Sequence, residues 1–212
     1  MLISSSPASK SGIAFFGGSF DPVHVGHLWM AESALEQLPV DHVRWFPAAT
    51  SPLKPQGPVA TNDQRLAMLR LALDGAEGHQ IDTWELDRDV VSYTVDTLRH
   101  LSRAFPDRPL YLVIGADSLA SFAAWKDPEE ILQRCTPAVI VRGGHAPPDF
   151  SVLAPFADAD RIAVIRRSVV EMPQIEVSSS DLRQRVSDGK SIRFFTPPEV
   201  AHWIACQKLY RH

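Results

Sequence analysis

The densest run of chemically capable residues is Gly17-Gly18-Ser19-Phe20-Asp21-Pro22-Val23-His24-Val25-Gly26-His27. A glycine pair lets main chain approach a ligand closely. His24 and His27, three residues apart at a predicted helix start, can face one side of its first turn and donate hydrogen bonds to one phosphate. Free amide N–H groups and the helix dipole favour an anion there. Zinc is the competing use of a histidine pair, but no third ligand sits at a suitable spacing. Anion binding is therefore preferred to a metal site, and to two structural histidines. The dipole disfavours an imidazolium and a bound phosphate favours one, so the charge of the pair stays open. The run matches no familiar phosphate loop: Gly-x-Gly-x-x-Gly is absent, and Gly189-Lys190-Ser191 has Gln184 where a P-loop needs glycine.

Fewer residues stand out elsewhere. Ser178-Ser179-Ser180-Asp181 reads as a helix start, with Arg183 one turn in, and a guanidinium fork beside a helix N-terminus suits a triphosphate. Capping explains Ser179 or Ser180 as well as ligand binding does. Asp117, just past a strand end, can accept from ribose hydroxyls or stand in a solvated loop, and the two are evenly balanced. Trp125 suits the core, although a flat ring beyond Gly115-Ala116-Asp117 could also stack on a heterocycle. The charges from Glu85 to Asp89 read as a solvated strand end rather than a catalytic cluster.

Strand ends must deliver these residues. Ile13-Ala14-Phe15-Phe16 is a continuous apolar run ending at Gly17-Gly18, a strand buried on both faces. Leu28, Ala31, Leu35 and Leu38 then recur at helical spacing until Pro39. Val43–Phe46, Ile81–Leu86, Leu110–Ile114, Ala138–Val141, Ile162–Ile165 and Gln174–Val177 read as further strands. Helices are expected after an Asn62 or Asp63 cap, through Val95 to Phe105, and over Pro128–Arg134, Asp181–Val186 and Pro198–Tyr210. Two proline-bearing stretches, Pro47–Pro58 and Gly143–Asp160, read as long loops.

This alternation predicts the α/β class: a Rossmann-like, doubly wound parallel sheet with helices on both faces. Ligands on such sheets bind beyond the carboxyl ends of the strands, near the reversal of strand order, so Gly17, Pro47, Gly115 and Ser178 are the places to search.

The chain has 212 residues, 45% hydrophobic and 22% charged, which fits a single globular domain over residues 13–212 behind a Ser-rich, disordered stretch 1–12. A net charge of −4 supplies no sequence-wide reason to expect a nucleic-acid partner. Cys135 and Cys206, without Cys-x-x-Cys spacing, suggest neither a disulfide framework nor a zinc cluster. No apolar run is long enough to cross a membrane and the N-terminal stretch lacks a secretory core, so a cytoplasmic protein without a membrane partner is expected.

Gly-Gly-Ser-Phe-Asp-Pro-x-His-x-Gly-His closely resembles the first motif of the nucleotidyltransferase superfamily built around His-x-Gly-His, and specifically that of bacterial nicotinate mononucleotide adenylyltransferases. Pro47–Pro55, Glu85–Leu98 (with Ser92-Tyr93-Thr94 before Asp96-Thr97-Leu98), Gly115–Trp125 and Val177–Arg183 resemble later family segments in the family's order. The likeness spans Gly17 to about Leu209. It implies a direct in-line transfer, without a covalent enzyme intermediate, that joins ATP and nicotinate mononucleotide to give nicotinate adenine dinucleotide and pyrophosphate, in NAD biosynthesis. His24, His27 and Arg183 would be catalytic. Gly17, Gly18, Ser19, Phe20, Lys54, Gly115, Asp117, Ser179 and Ser180 would hold ATP, while Tyr93, Thr94, Trp125 and again Lys54 would hold the mononucleotide. Mg²⁺ would arrive on the ATP phosphates, without a metal-ligating set of protein side chains. Two departures stand out. Leu53 occupies a place where the family often has histidine, leaving Lys54 to act alone, and Val177 and Ser180 are mild replacements in Ile-Ser-Ser-Thr. The rivals are a pantetheine-phosphate or cytidylyl transferase, a tRNA-synthetase-like activator and a non-catalytic nucleotide-binding module. Self-association into a homo-oligomer is left open by the sequence.

Overall fold

The first strand, β1 (Gly12–Gly18), sends Ile13 and Phe15 to one face of a sheet and Ala14 and Phe16 to the other, all at most 5% exposed. A strand covered on both sides can be apolar throughout, which is why its sequence shows no alternation. The computed structural model of the chain describes residues 12–52, 56–88, 90–144 and 146–211. β1 pairs with β2 (Val40–Pro47) and β4 (Leu110–Gly115); β3 (His79–Ile81), β5 (Thr136–Arg142) and β6 (Val170–Met172) extend the sheet. The order is β3-β2-β1-β4-β5-β6, every pairing parallel. Consecutive strands run one way from β1 to β3 and the other way from β4 to β6. The crevice between the ends of β1 and β4 is therefore the topological switch point.

One face is covered by α1 (Val25–Gln37), α2 (Asn62–Ala72), α8 (Ser179–Ser187) and α9 (Pro198–Cys206), through side chains such as Met30, Met68, Leu182 and Ile204. The other is covered by α4 (Thr94–Ala104), α5 (Ala116–Ala120), α6 (Pro128–Arg134) and α7 (Ala159–Arg166), through Leu98, Leu119, Ile131 and Ile165. This is the expected α/β, Rossmann-like architecture. Among the described residues no helix is long and apolar enough to cross a membrane.

Local details differ from expectation where side-chain hydrogen bonds intervene. Thr61, rather than Asn62 or Asp63, caps α2: its hydroxyl accepts from the Gln64 amide while the Gln64 side chain accepts from the Thr61 amide. The strand expected over Ile81–Leu86 stops at Ile81. There the Asp82 carboxylate accepts from the Trp84 amide and from Arg44, turning the chain into the short α3 (Trp84–Asp87). Ile162–Ile165 lies inside α7, not in a strand, because Asp158 accepts from the Arg161 amide and starts a helix. The last strand is Val170–Met172 rather than Gln174–Val177, and Pro173, which has no N–H, ends it. Helix α9 ends at Cys206 instead of reaching Tyr210, and Gly143–Asp160 holds a 3₁₀ turn at Phe150–Leu153. Gly12, expected outside the fold, opens β1; residues 1–11 lie outside the described residues.

Candidate active site

The turn after β1 carries the histidines, and they cap their own helix. The His27 amide donates to His24 Nδ1 at 3.4 Å, and the His24 amide donates to His27 Nδ1 at 3.3 Å, a reciprocal capping box made of imidazoles. An Nδ1 that accepts carries no proton, so each neutral ring is protonated at Nε2, on its far side. The rings stack with centroids 3.7 Å apart and planes 20° from parallel. His27 lines the cleft, while His24 lies behind it at 6% exposure. Burial, then the nearby positive charge of Arg142, lower the His24 pKa from 6.5 to about 4, so this imidazole is neutral at physiological pH. Of the first-turn amides expected to face an anion, two are used within the protein: the Val25 amide donates to the Phe195 carbonyl and the His27 amide to His24.

Four glycines around the cleft are explained in two different ways. A Cβ on Gly18 would come within 2.9 Å of the Phe20 ring. One on Gly26 would meet Val177 at 3.0 Å and the His24 ring at 3.2 Å, so the protein itself demands both glycines. A Cβ on Gly17 or Gly115 would meet no protein atom within 4 Å, yet both residues line the cleft at the ends of β1 and β4. Space left open on a cleft wall is space a ligand can use.

Phe20 does not reach that space. Its ring is 1% exposed and packs edge-on against His27 at 5.1 Å and against Phe16 at 5.5 Å, so the side chain props the histidine from behind the cleft. Ser19 lines the cleft, and its carbonyl accepts from the fully buried Arg65 at 2.7 Å.

The start of α8 is tied to the same turn. Ser178 is the cap, its hydroxyl accepting from the Asp181 amide. Ser179 donates to the Pro22 carbonyl at 2.9 Å, and Arg183 donates from Nη1 to the Asp21 carbonyl at 2.7 Å and from Nη2 to Ser180 at 3.2 Å. The hydroxyls of Ser179 and Ser180 thus serve the protein: one joins two segments and the other orients Arg183. Thr196, donating to the Val23 carbonyl at 2.8 Å, completes the clamp.

Across the cleft, of about 630 Å³, lies a different wall built by α4, α5 and the turn before α6. Tyr93 precedes α4 without any side-chain cap, and among the described residues the first amides, of Thr94 and Val95, have no partner. Trp125 stacks on Phe122 with centroids 5.2 Å apart, and its indole Nε1–H is buried without a partner among the described residues. Asp117 is exposed on the same wall.

Several residues here were not singled out from sequence. Arg142 ends β5 on the cleft wall, in the same strand-end position that pointed to Gly17 and Gly115, and its guanidinium has no hydrogen bond or ion pair among the described residues. Lys126 lies 4.5 Å over the Tyr93 ring and 3.5 Å from Asp96. Glu85, expected on a solvated strand end, is instead buried at 6% exposure. It accepts from the Thr97 hydroxyl at 2.5 Å, and burial raises its pKa despite that bond. Lys54 lies outside the described residues.

Residues 15–185 match the cytidylyltransferase-like family. The chain is 64% identical over 205 residues to a Rhodopirellula baltica protein named "Probable nicotinate-nucleotide adenylyltransferase", covering 97% of this chain and 96% of that one. The chain belongs to the nicotinate-nucleotide adenylyltransferases. A Gemmatimonas aurantiaca protein of the same name is 39% identical over 94% of this chain and 92% of its own. Among solved structures, Plasmodium falciparum nicotinic acid mononucleotide adenylyltransferase, complexed with NaAD, superposes with a TM-score of 0.73. At 17% identity, over 94% of this chain and 97% of that one, it shows a shared fold. That fold brings the Gly17–His27 turn and the start of α4 of this adenylyltransferase around one switch-point crevice, while the start of α8, with Ser179, Ser180 and Arg183, is bonded to the turn outside the residues that line it.

Proposed function

We propose that this nicotinate-nucleotide adenylyltransferase works by direct in-line displacement, with the phosphate of nicotinate mononucleotide attacking the α-phosphorus of ATP. An oxygen–phosphorus bond forms as the bond to the β-phosphate oxygen breaks, giving nicotinate adenine dinucleotide and pyrophosphate. The nucleophile is already an anion at neutral pH, so neither a proton nor a covalent enzyme intermediate is required. Alignment and stabilisation of developing charge are the protein's tasks. The His27 Nε2–H, the stacked His24 and the Arg183 guanidinium act on the triphosphate, with Gly17, Gly18, Ser19 and Gly115 giving main chain and space to ATP and Asp117 its carboxylate to the ribose. Lys54 would add a cation from its proline-rich segment.

At the acceptor end, the open α4 terminus at Thr94 receives the nicotinate carboxylate, Trp125 stacks on the pyridine ring, and Tyr93 with Lys126 and Arg142 flanks the nucleotide. The observation that carries this assignment is the meeting, in one cleft, of the His27 imidazole held by its capping bond with the uncapped N-terminus of α4 and the Trp125 indole N–H, which has no partner among the described residues. Mg²⁺ carried in by the ATP would neutralise charge on the leaving pyrophosphate. A cytoplasmic setting agrees with the two free cysteines.

Pyrophosphate release over a panel of acceptors tests the assignment. Turnover is expected with ATP and nicotinate mononucleotide. Equal or greater release with a pantetheine phosphate, or with CTP in place of ATP, would redirect it, and ATP binding without release would make the chain a nucleotide-binding module.

A further inference from the structure

Asp21 is 3% exposed, and a buried carboxylate needs partners. Its partners come from three separate parts of the chain. Oδ2 accepts from the Val59 amide at 2.7 Å, and Oδ1 accepts from the Ala60 amide at 3.2 Å and from the Tyr210 hydroxyl at 2.6 Å. Arg183 Nη1 stands 3.8 Å from Oδ2 while donating to the main-chain carbonyl of the same residue. One residue therefore joins the turn of the histidines, the segment leading into α2, the start of α8 and a tyrosine 189 positions away.

The bond between Asp21 and Tyr210 is flanked by uncommon backbone at both ends. Phe20, whose ring props His27, has φ of +49°, and Tyr210 has φ of +61°. Lys208, at +53°, follows the end of α9 and serves as its left-handed terminus, but Tyr210 lies beyond that cap. Side-chain-bearing residues keep such angles where surrounding contacts hold them, and such sites cluster where geometry matters to function. The Tyr210 ring is 8% exposed, with its hydroxyl 4.0 Å from Met68 Sδ. Burial first, then the charge of Asp21 and the hydrogen bond to it, keep the phenol protonated and donating at any working pH.

We infer that Tyr210 is a positioning residue for adenylyl transfer: by holding the Asp21 carboxylate, its hydroxyl keeps Arg183 bonded to the Asp21 carbonyl and directed to the triphosphate. Without that hydroxyl, Oδ1 keeps only the longer Ala60 bond, and of the two guanidinium groups that feel the Asp21 charge, Arg65 and Arg183, it is Arg183 that stands within 4 Å of the carboxylate. A guanidinium drawn into that pair is withdrawn from the phosphates. The inference rests on the assignment of Arg183 to the triphosphate.

The test is a double-mutant cycle on the intact chain with ATP and nicotinate mononucleotide, reading kcat and both KM values on parent, Tyr210→Phe, Arg183→Ala and the double variant. Tyr210→Phe should lower kcat about 10-fold while leaving both KM values within about 2-fold, and should cause no further loss in the Arg183→Ala background. An equal loss in both backgrounds would make Tyr210 structural only and overturn the inference. If Arg183→Ala leaves kcat unchanged, the assignment of Arg183 fails, and the inference falls with it by a distinguishable result. Should Tyr210→Phe melt below the assay temperature, the cycle is run below its melting midpoint and Asp21→Asn, which removes the charge that draws Arg183 away, is added to Tyr210→Phe: kcat should recover towards the parent, and no recovery in the folded double variant would overturn the inference.

Discussion

The two walls of the cleft handle their polar groups in opposite ways. On the wall that carries the histidines, nearly every donor and acceptor is spent within the protein. The imidazoles cap each other's amides, Ser179 and Thr196 bind carbonyls of the turn, and Arg183 is anchored at both ends of its fork. On the facing wall, the first amides of α4 and the Trp125 indole are left without partners among the described residues. Internal hydrogen bonds fix donors in place before the reaction, which is what stabilisation of a transition state requires. Unfilled donors do something else. They penalise any ligand that cannot satisfy them, which is how a buried site discriminates. On the proposed assignment, the first wall would serve rate and the second choice.

Breaking the wired wall should have the largest effect. His27→Ala should lower kcat by about 10² to 10³, the size expected when one preorganised donor is lost. Because it also removes half of the capping box, stability should fall by about 1 kcal/mol. Steady-state kinetics beside a thermal melt would separate the two, and unchanged turnover in a folded variant would end the catalytic role.

Breaking the open wall should alter selection more than turnover. Trp125→Ala should reduce kcat/KM for the mononucleotide by about 10-fold or more while KM for ATP holds, since base–aromatic stacking contributes roughly 1–3 kcal/mol. An unaffected variant would return Trp125 to the core it touches at Phe122.

Smaller changes sharpen the contrast. An added methyl at Gly17 meets no protein atom within 4 Å. Gly17→Ala should therefore leave stability within about 0.5 kcal/mol while raising KM for ATP. A loss of stability without a change in KM would point to packing instead. The smallest effect at neutral pH concerns charge. An unfolded histidine takes up a proton near pH 6.5 and native His24 only near pH 4, so its contribution to stability is complete above 6.5 and declines as pH falls towards 4. Imidazole ¹⁵N shifts should report a neutral, Nε2-protonated His24 at pH 6; a protonated ring there would contradict the capping geometry.

Much of the scaffold was legible in the residues themselves. Ile13–Phe16, the helical spacing through Leu28 and Leu35, and glycines closing two strands were enough to expect the switch-point crevice. Four apolar residues at Ile162–Ile165 fit a strand or a helix equally, and only the Asp158 cap decides between them. Within the site, spacing pointed to His24 and His27 as a pair but not to their mutual capping, which depends on imidazoles replacing the usual Ser and Glu. Glu85 sits among charged neighbours that signal solvent. Its burial depends on Thr97 returning beside it. Arg142 is a lone arginine until the sheet order sets it at the crevice, and Asp21 acquires its role from partners 38 to 189 positions away.

The contrast between the walls is tested most directly by comparing kcat/KM for nicotinate and nicotinamide mononucleotides at saturating ATP and Mg²⁺. On the proposed assignment a carboxylate would satisfy the open start of α4, whereas an amide would set N–H donors against N–H donors. The account predicts a preference for nicotinate mononucleotide of roughly 10² or more, from a buried mismatch costing about 3 kcal/mol. Equal values for the two acceptors would contradict it.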